Sequence, residues 1–450
     1  MIKRLSYPAH ARATLVLGLP LIGSHLAQMA LHVTDTVLLG WYGVNELAAV
    51  VLAASLFFAV FILGAGFAQA VMPMVASALG RGDEVQVRRD TRMGLWLSIS
   101  YGLLTYPLFW WSESLLLGLG QRPEIAALGQ DFLRIGGLGM IPALLVMTLK
   151  SYLAALERTQ VVLWTTLAAV GVNLVLAYAL IFGHWGAPEM GIKGAAVASL
   201  AVQVLTLVIL AAYAGWLPEL RRFHLYQRFW RPDWHAMGLV FRLGWPIGIT
   251  SLAETGMFQA SALMMGWIGT EHLAAHGITM EVVSLSFMVH LGLSNATTVR
   301  TGRADGAGNA ADLRDGAKTA IVLSFGFGMV MVALFLAQPE QIIALFLDVA
   351  NPDAVRIIEI GAQLLAMAAL FQLADAMQVM ALGLLRGIRD TRVPMIAAAI
   401  SYWGIGIPAS YLLAFRLDLG GIGLWLGLVL GLVAAAGSMM WRFWRLAPKA

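Results

Sequence analysis

Apolar stretches of roughly twenty residues recur along the whole 450-residue chain, separated only by short polar or Gly/Pro-rich breaks. A helix of about that length crosses a bilayer hydrocarbon core of about 30 Å. Such a stretch cannot be repeated a dozen times and still be buried in one water-soluble core. Composition closes that escape: 12% of the residues are charged, whereas a soluble globular domain carries about a quarter. The chain is therefore read as an all-α integral membrane protein, and a large soluble all-α protein is excluded.

Hydropathy, read against charged and Gly/Pro punctuation, predicts about twelve transmembrane helices. They fall near 13–40, 46–78, 93–112, 127–149, 160–183, 191–215, 237–267, 272–299, 316–337, 356–385, 393–415 and 421–441. The start, Met1-Ile2-Lys3-Arg4, leads into an apolar segment interrupted by Pro20, His25 and Asp35, without the small-residue cleavage pattern of a signal peptide. It is read as a retained first helix. With the N-terminus in the cytoplasm, 24 of the 29 Lys and Arg residues lie in cytoplasmic loops and tails. Arg122, Arg134, Lys193, Arg356 and Arg416 form the outer set. One missed span would scramble this alternation, so the bias predicts an even count with both termini inside.

The two halves of the chain resemble each other. A forward shift of 226 residues, without gaps, carries Gly18 and Pro20 onto Gly244 and Pro246. The same shift carries Gly40, Trp41 and Gly43 onto Gly266, Trp267 and Gly269, and Leu47-Ala48-Ala49 onto Leu273-Ala274-Ala275. It persists at Gly66 and Gly292, and at Gly80 and Gly82 against Gly306 and Gly308; a shift near 232 later pairs Thr159 with Thr391. Six helices per half, with matching loop charge, make parallel repeats related by an axis along the membrane normal. The expected organisation is a six-helix bundle over 1–215, a cytoplasmic linker over 216–236 carrying Pro218, Arg221, Arg222 and Pro232, and a second bundle over 237–450. Two such pseudo-symmetric bundles can rock and expose a central cleft alternately. Pro20 and Pro246 free carbonyls at matching points of spans one and seven, permitting a bend; a static kink is the other reading.

A carboxylate at the centre of a membrane helix costs at least ~2.5 kcal/mol, so each one needs a reason. Asp35 lies in span one, Glu254 in span seven and Asp375 in span ten; Glu281, in span eight, is a fourth candidate nearer the outer end. Asp131 and Glu359 sit at span starts and are read as interfacial. No buried Lys or Arg is evident as a partner for the four acids, which predicts an electronegative cleft suited to cations. Taking a carboxylate out of water favours its neutral form, so such a group can load and release a proton. An ionised pair with hydroxyl and carbonyl oxygens equally offers a hard-oxygen cage for Na⁺, and an acid hydrogen-bonded between helices is the structural alternative. Met257, Met264, Met265, Phe258 and Phe287 are read as a soft lining for varied apolar cations, against the alternative of core or lipid-facing positions. His25, His32, His276 and His290 lack zinc-type spacing and are assigned no metal.

Three segments taken together resemble the multidrug and toxic compound extrusion family, in its bacterial NorM-like branch. They are span one, with Gln28 seven residues before Asp35 and then Thr36 and Gly40; FGHWGAPEMGIKGAAVA from Phe182 to Ala198; and FQLADAMQVMALGLLRGIRDTR from Phe371 to Arg392. The resemblance runs nearly end to end. It implies a V-shaped alternating-access antiporter in which Na⁺ or H⁺ enters while a cationic, amphipathic drug leaves, with no further cofactor. It also implies a coupling-ion site at Glu254 and Asp375, the Na⁺ candidates, and an N-terminal site at Asp35 with Asn173; Gln28, Met257 and Phe287 are the substrate-binding candidates. Two departures stand out: a second helix-five Asn of the family is Ala177 here, and Glu281 replaces a usually neutral Asn. Both tilt the ion site toward the C-terminal bundle.

Other classes are argued against by residue type. A lipid-linked precursor flippase would present a cationic cleft. An intramembrane enzyme would need a Ser/His, His-rich or paired-Asp constellation, and none is found. The chain has no cysteine, hence no disulfide framework and no thiol chemistry. Its net charge of +4 is spread over loops without a basic run, which argues against a nucleic-acid partner. The expected partners are small organic cations and the lipid bilayer, with the chain acting as a monomer.

Overall fold

The computed structural model describes residues 5–347 and 353–448; Lys3, Arg4 and Lys449 of the basic set lie outside them. Among the described residues there is no strand. Twelve long helices follow in order: α1 (Tyr7–Tyr42), α2 (Val44–Gly80), α3 (Glu84–Trp110), α4 (Pro123–Ala155), α5 (Thr159–Phe182), α6 (Ile192–Trp216), α7 (Trp234–Ile268), α8 (Thr270–Gly306), α9 (Ala310–Ala337), α10 (Ala354–Gly387), α11 (Arg392–Arg416) and α12 (Gly420–Leu446). Eleven of them are long and apolar enough to cross a membrane. The exception is α3, whose first turns carry Arg88, Arg89, Asp90 and Arg92 and whose remainder is rich in Ser, Tyr and Trp. Its 27 residues still exceed the about 20 that a bilayer core requires.

The repeat seen in sequence is a repeat of local structure. Gly82 and Gly308 both sit at positive φ, +73° and +66°, in the left-handed region that glycine enters without steric cost. Each is followed by a helix cap: Asp83 accepts from the Gln86 amide at 2.9 Å to start α3, and Asn309 accepts from the Asp312 amide at 3.1 Å to start α9. A side chain at this position satisfies one of the four N–H groups that a helix start leaves unpaired. Glu157 and Arg389, just ahead of the paired Thr159 and Thr391, share a φ of 61°. Gly43 and Gly269 break α1 from α2 and α7 from α8 with extended backbone.

Contacts gather the chain into two compact units. One comprises the chain through Ile22 with everything from Ile249 onward; the other is Gly23–Gly248. The linker reading placed the division within 216–236. By contact it falls inside α1 and α7, just beyond Pro20 and Pro246 and separated by the same repeat shift. A proline has no N–H to close the helical bond to the carbonyl four residues earlier, so each helix lacks one backbone bond in the turn just before the division.

In the Gly23–Gly248 unit α4 is the hub and packs on α2, α3 and α6. In the other unit the repeat-related α10 packs on α8, α9 and α12. Phe371 of α10 meets Trp425 of α12 edge-on, centroids 5.2 Å apart, within that core. The linker is held rather than loose: Phe223 is buried edge-on to Tyr152, the Trp96 indole donates to the Phe229 carbonyl at 2.8 Å, and Arg89 donates to Asp233 at 2.6 Å.

Candidate functional site

Of the predicted residues, Asp35 and Asn173 are brought together in the Gly23–Gly248 unit. The Asn173 amide of α5, fully buried, donates to one Asp35 oxygen at 2.7 Å, and the Ser199 hydroxyl of α6 faces the other at 3.4 Å. Both carboxylate oxygens thus have a donor, and Asp35 itself is half-buried. Ala177, one turn along α5 from Asn173, is fully buried in an apolar cluster with Leu38, Leu39 and Ala49. Apolar packing stands there in place of a second amide.

Glu254 and Asp375 belong together in the other unit. Asp375 is 3% exposed, and the charge of Glu254 is the one carboxylate charge that acts on it. Their satisfaction differs from that of Asp35: Glu254 Oε1 and Asp375 Oδ1 are buried and accept no hydrogen bond from the protein. Leaving a buried acceptor unmatched costs on the order of 1–3 kcal/mol, more for a charged group, so these oxygens require a proton, a cation or water. The expectation that no base stands near is corrected: Arg386, in the last turn of α10, exerts its charge on Glu254. Hydropathy assigned Arg386 to the loop because it lies near the end of the apolar run.

The remaining candidates are dispersed. Glu281 is exposed on α8, its backbone carbonyl taking a bond from Ser284. Met257 is fully buried in the core, where its sulfur faces Gly406 of α11. Phe287 is half-buried on α8, and Gln28 is exposed on α1. His276 accepts from the Trp425 indole at 3.2 Å, and His290 pairs with Ser324 at 2.8 Å.

The span predicted near 393–415 is α11, but sequence reasoning missed the irregular register of its backbone and the side chains it brings to the site. Its backbone loosens to π geometry over Ile400–Gly406 and again over Leu412–Arg416. A signal was present: Pro408 has no N–H for the Gly404 carbonyl, which favours a wider register. The first π segment carries Tyr402, fully buried, and Trp403. Trp403 donates to the Ala253 carbonyl at 3.0 Å, next to Glu254, and Gly256 leaves room for its ring. Gln378 lies one turn beyond Asp375 on α10 and donates to the Tyr402 hydroxyl at 2.6 Å. Its i, i+3 spacing from Asp375 was the signal available for it.

The MatE family model matches residues 20–179 and 246–412, one segment in each half of the chain. A probable multidrug resistance protein NorM from Rhizobium meliloti (strain 1021) is 47% identical over 441 residues, covering 98% of this chain and 94% of that protein. A protein of the same description from Synechocystis is 34% identical, covering 98% and 95%. Among solved structures, a MATE protein in complex with MaL6 superposes with a TM-score of 0.88 at 22% identity, over 97% of this chain and 96% of that one. A MOP superfamily transporter from Pyrococcus furiosus gives 0.85 at 22% identity, over 98% and 97%. These two establish a shared fold. With the twin six-helix repeat and its buried acids already in place, the chain belongs to the MatE family, the multidrug and toxic compound extrusion transporters, and is a membrane transporter rather than an enzyme.

Proposed function

We propose that this protein exports organic cationic, amphipathic drugs by antiport, with Na⁺ as the coupling ion bound at Glu254 and Asp375. The observation that carries the reading is the pair of buried carboxylate oxygens, Glu254 Oε1 and Asp375 Oδ1, that no protein group satisfies. Asp35, whose two oxygens both face donors, fits a positioning role with Asn173 in its own unit. Glu281 serves as an accessory negative charge, and Gln28, Met257 and Phe287 are assigned to the cargo path. Exchange of one Na⁺ for one monovalent cationic cargo moves no net charge and is driven by the Na⁺ concentration gradient; only each inward charge in excess of those the cargo carries out gains ~2.3 kcal/mol per 100 mV.

The names of the relatives support multidrug export. The charge bias supports an even number of spans with both termini cytoplasmic, and the bacterial relatives support the inner membrane as the location; the protein is proposed to act as a monomer. Proton coupling is a second reading carried by the same orphaned oxygens, since either acid could be satisfied by a proton instead. The test is export of a fluorescent cation from everted vesicles after an imposed Na⁺ or pH jump, comparing wild type with Glu254→Gln and Asp375→Asn. Both variants are expected to lose gradient-driven export. Wild-type export by both under every gradient would remove the site.

A further inference from the structure

We propose that Gln378 and Tyr402 complete the cation site as its neutral part, Gln378 lending its carbonyl oxygen as a ligand and Tyr402 fixing that oxygen in place. The proposal rests on the coupling-ion reading of Glu254 and Asp375. Gln378 has no measurable exposure, and its Oε1, like Asp375 Oδ1 and Glu254 Oε1, is buried without a donor. An amide in such surroundings normally uses both its ends. Here only the Nε2 end is used, in the 2.6 Å bond to the Tyr402 hydroxyl. That bond orients the amide so that the carbonyl oxygen is the free end. Because the hydroxyl oxygen accepts from Gln378, its own proton remains to be donated elsewhere, and Tyr402 lies within the electrostatic reach of Glu254, Asp375 and Arg386.

Three orphaned oxygens thus come from α7 and from two residues one turn apart on α10, and one of those residues is bonded to a phenol held on the π segment of α11. Oxygen ligands of this hardness suit alkali and alkaline-earth ions rather than soft metals. Charge narrows the choice. Arg386 stays protonated under all physiological conditions and acts on Glu254, so two carboxylates and one guanidinium leave a single negative charge. Among the described residues no group of three or more His, Asp or Glu is placed to hold a metal ion. One monovalent cation balances that charge, and an uncharged amide oxygen adds a ligand without upsetting the balance.

The experiment is saturation binding of ²²Na⁺ to the purified protein, with Li⁺ and K⁺ as competitors. It compares wild type, Gln378→Met (similar volume, no carbonyl oxygen), Tyr402→Phe (hydroxyl alone removed) and Glu254→Gln. Losing one hydrogen-bonding ligand is expected to weaken Na⁺ about tenfold or more in Gln378→Met. Tyr402→Phe is expected to show a smaller loss together with a changed preference between Li⁺ and Na⁺, as an unanchored amide no longer sets cavity size. Wild-type affinity in Gln378→Met, with binding lost in Glu254→Gln, overturns this proposal and leaves the parent site standing. Wild-type affinity in Glu254→Gln, or no saturable Na⁺ binding by the wild type, overturns the parent site and this proposal with it. Should Gln378→Met not purify as a single species, Tyr402→Phe decides: unchanged affinity and unchanged ion preference overturn the proposal.

Discussion

Gly66 lies where α2 meets the first half of α7, within the Gly23–Gly248 unit. A Cβ built on it would stand 2.4 Å from the Gly244 carbonyl oxygen and 2.5 Å from the Gly248 nitrogen, where ordinary contact begins at 3.4 Å. Both obstacles are backbone, so no side-chain rotation relieves them; the two helices must separate by about an ångström. A gap of 0.5–1 Å forfeits about a quarter to a half of each dispersion contact along the crossing, and overpacking of this kind typically costs about 1–3 kcal/mol. Against it stands the about 0.5–1 kcal/mol that alanine gains over glycine in a helix interior. Gly66→Ala is therefore expected to be destabilised by a net ~1–2 kcal/mol. Gly171→Ala is the control: it sits within α5 with nothing within 4 Å of its built Cβ, so only the helix term applies and it should be neutral or stabilised. Unfolding of purified protein in mixed detergent–SDS micelles, followed by tryptophan fluorescence, measures both. Equal stability of Gly66→Ala and Gly171→Ala would refute the close-approach reasoning.

Other perturbations follow from the same structure. Asp233, ahead of α7, has its carboxyl held below the usual carboxylate range by the hydrogen bond from Arg89. The bond's contribution is thus complete above the usual carboxylate range and lost as pH falls through the lowered value. Asp233→Asn keeps an acceptor for the Ala236 amide and should be less stable than wild type at pH 7 by at most ~1 kcal/mol, because Arg89 is 36% exposed; acid titration of unfolding should show the gap closing as pH drops below about 4. Asp83→Ala and Asn309→Ala each remove a helix cap and should lower stability by about 1 kcal/mol in the same micellar assay, nearly equally because the caps are repeat-related. Asn173→Ala takes the 2.7 Å donor from Asp35 at a cost of about 1.5–3 kcal/mol in a bond to a charged group; vesicle export should fall, and wild-type export would show that Asp35 needs no such partner.

Much of this protein is legible in one dimension, because membrane helices satisfy their backbone internally and display their length as an apolar run. That is why eleven of the twelve expected spans stand out by length and apolarity, and why α3, rich in Tyr, Trp and Arg, is the one that does not. The spacing of Gly82 and Gly308 was readable as part of the repeat; that each is a left-handed turn leading into an Asp83 or Asn309 cap emerged only with the structure. The buried acids were readable because a carboxylate amid apolar residues is costly wherever it falls. Which acids are satisfied was a different matter. Asp35 finds donors on α5 and α6, more than a hundred residues away, while Glu254 and Asp375 keep an oxygen each without one. Arg386, Gln378 and Tyr402 joined the site only through the packing of α10 against α7 and α11. A hydrogen bond depends on distance and direction between side chains, and hydropathy carries neither. The division of α1 and α7 at their prolines was hidden for the same reason: a continuous apolar helix does not say which neighbours each half will touch.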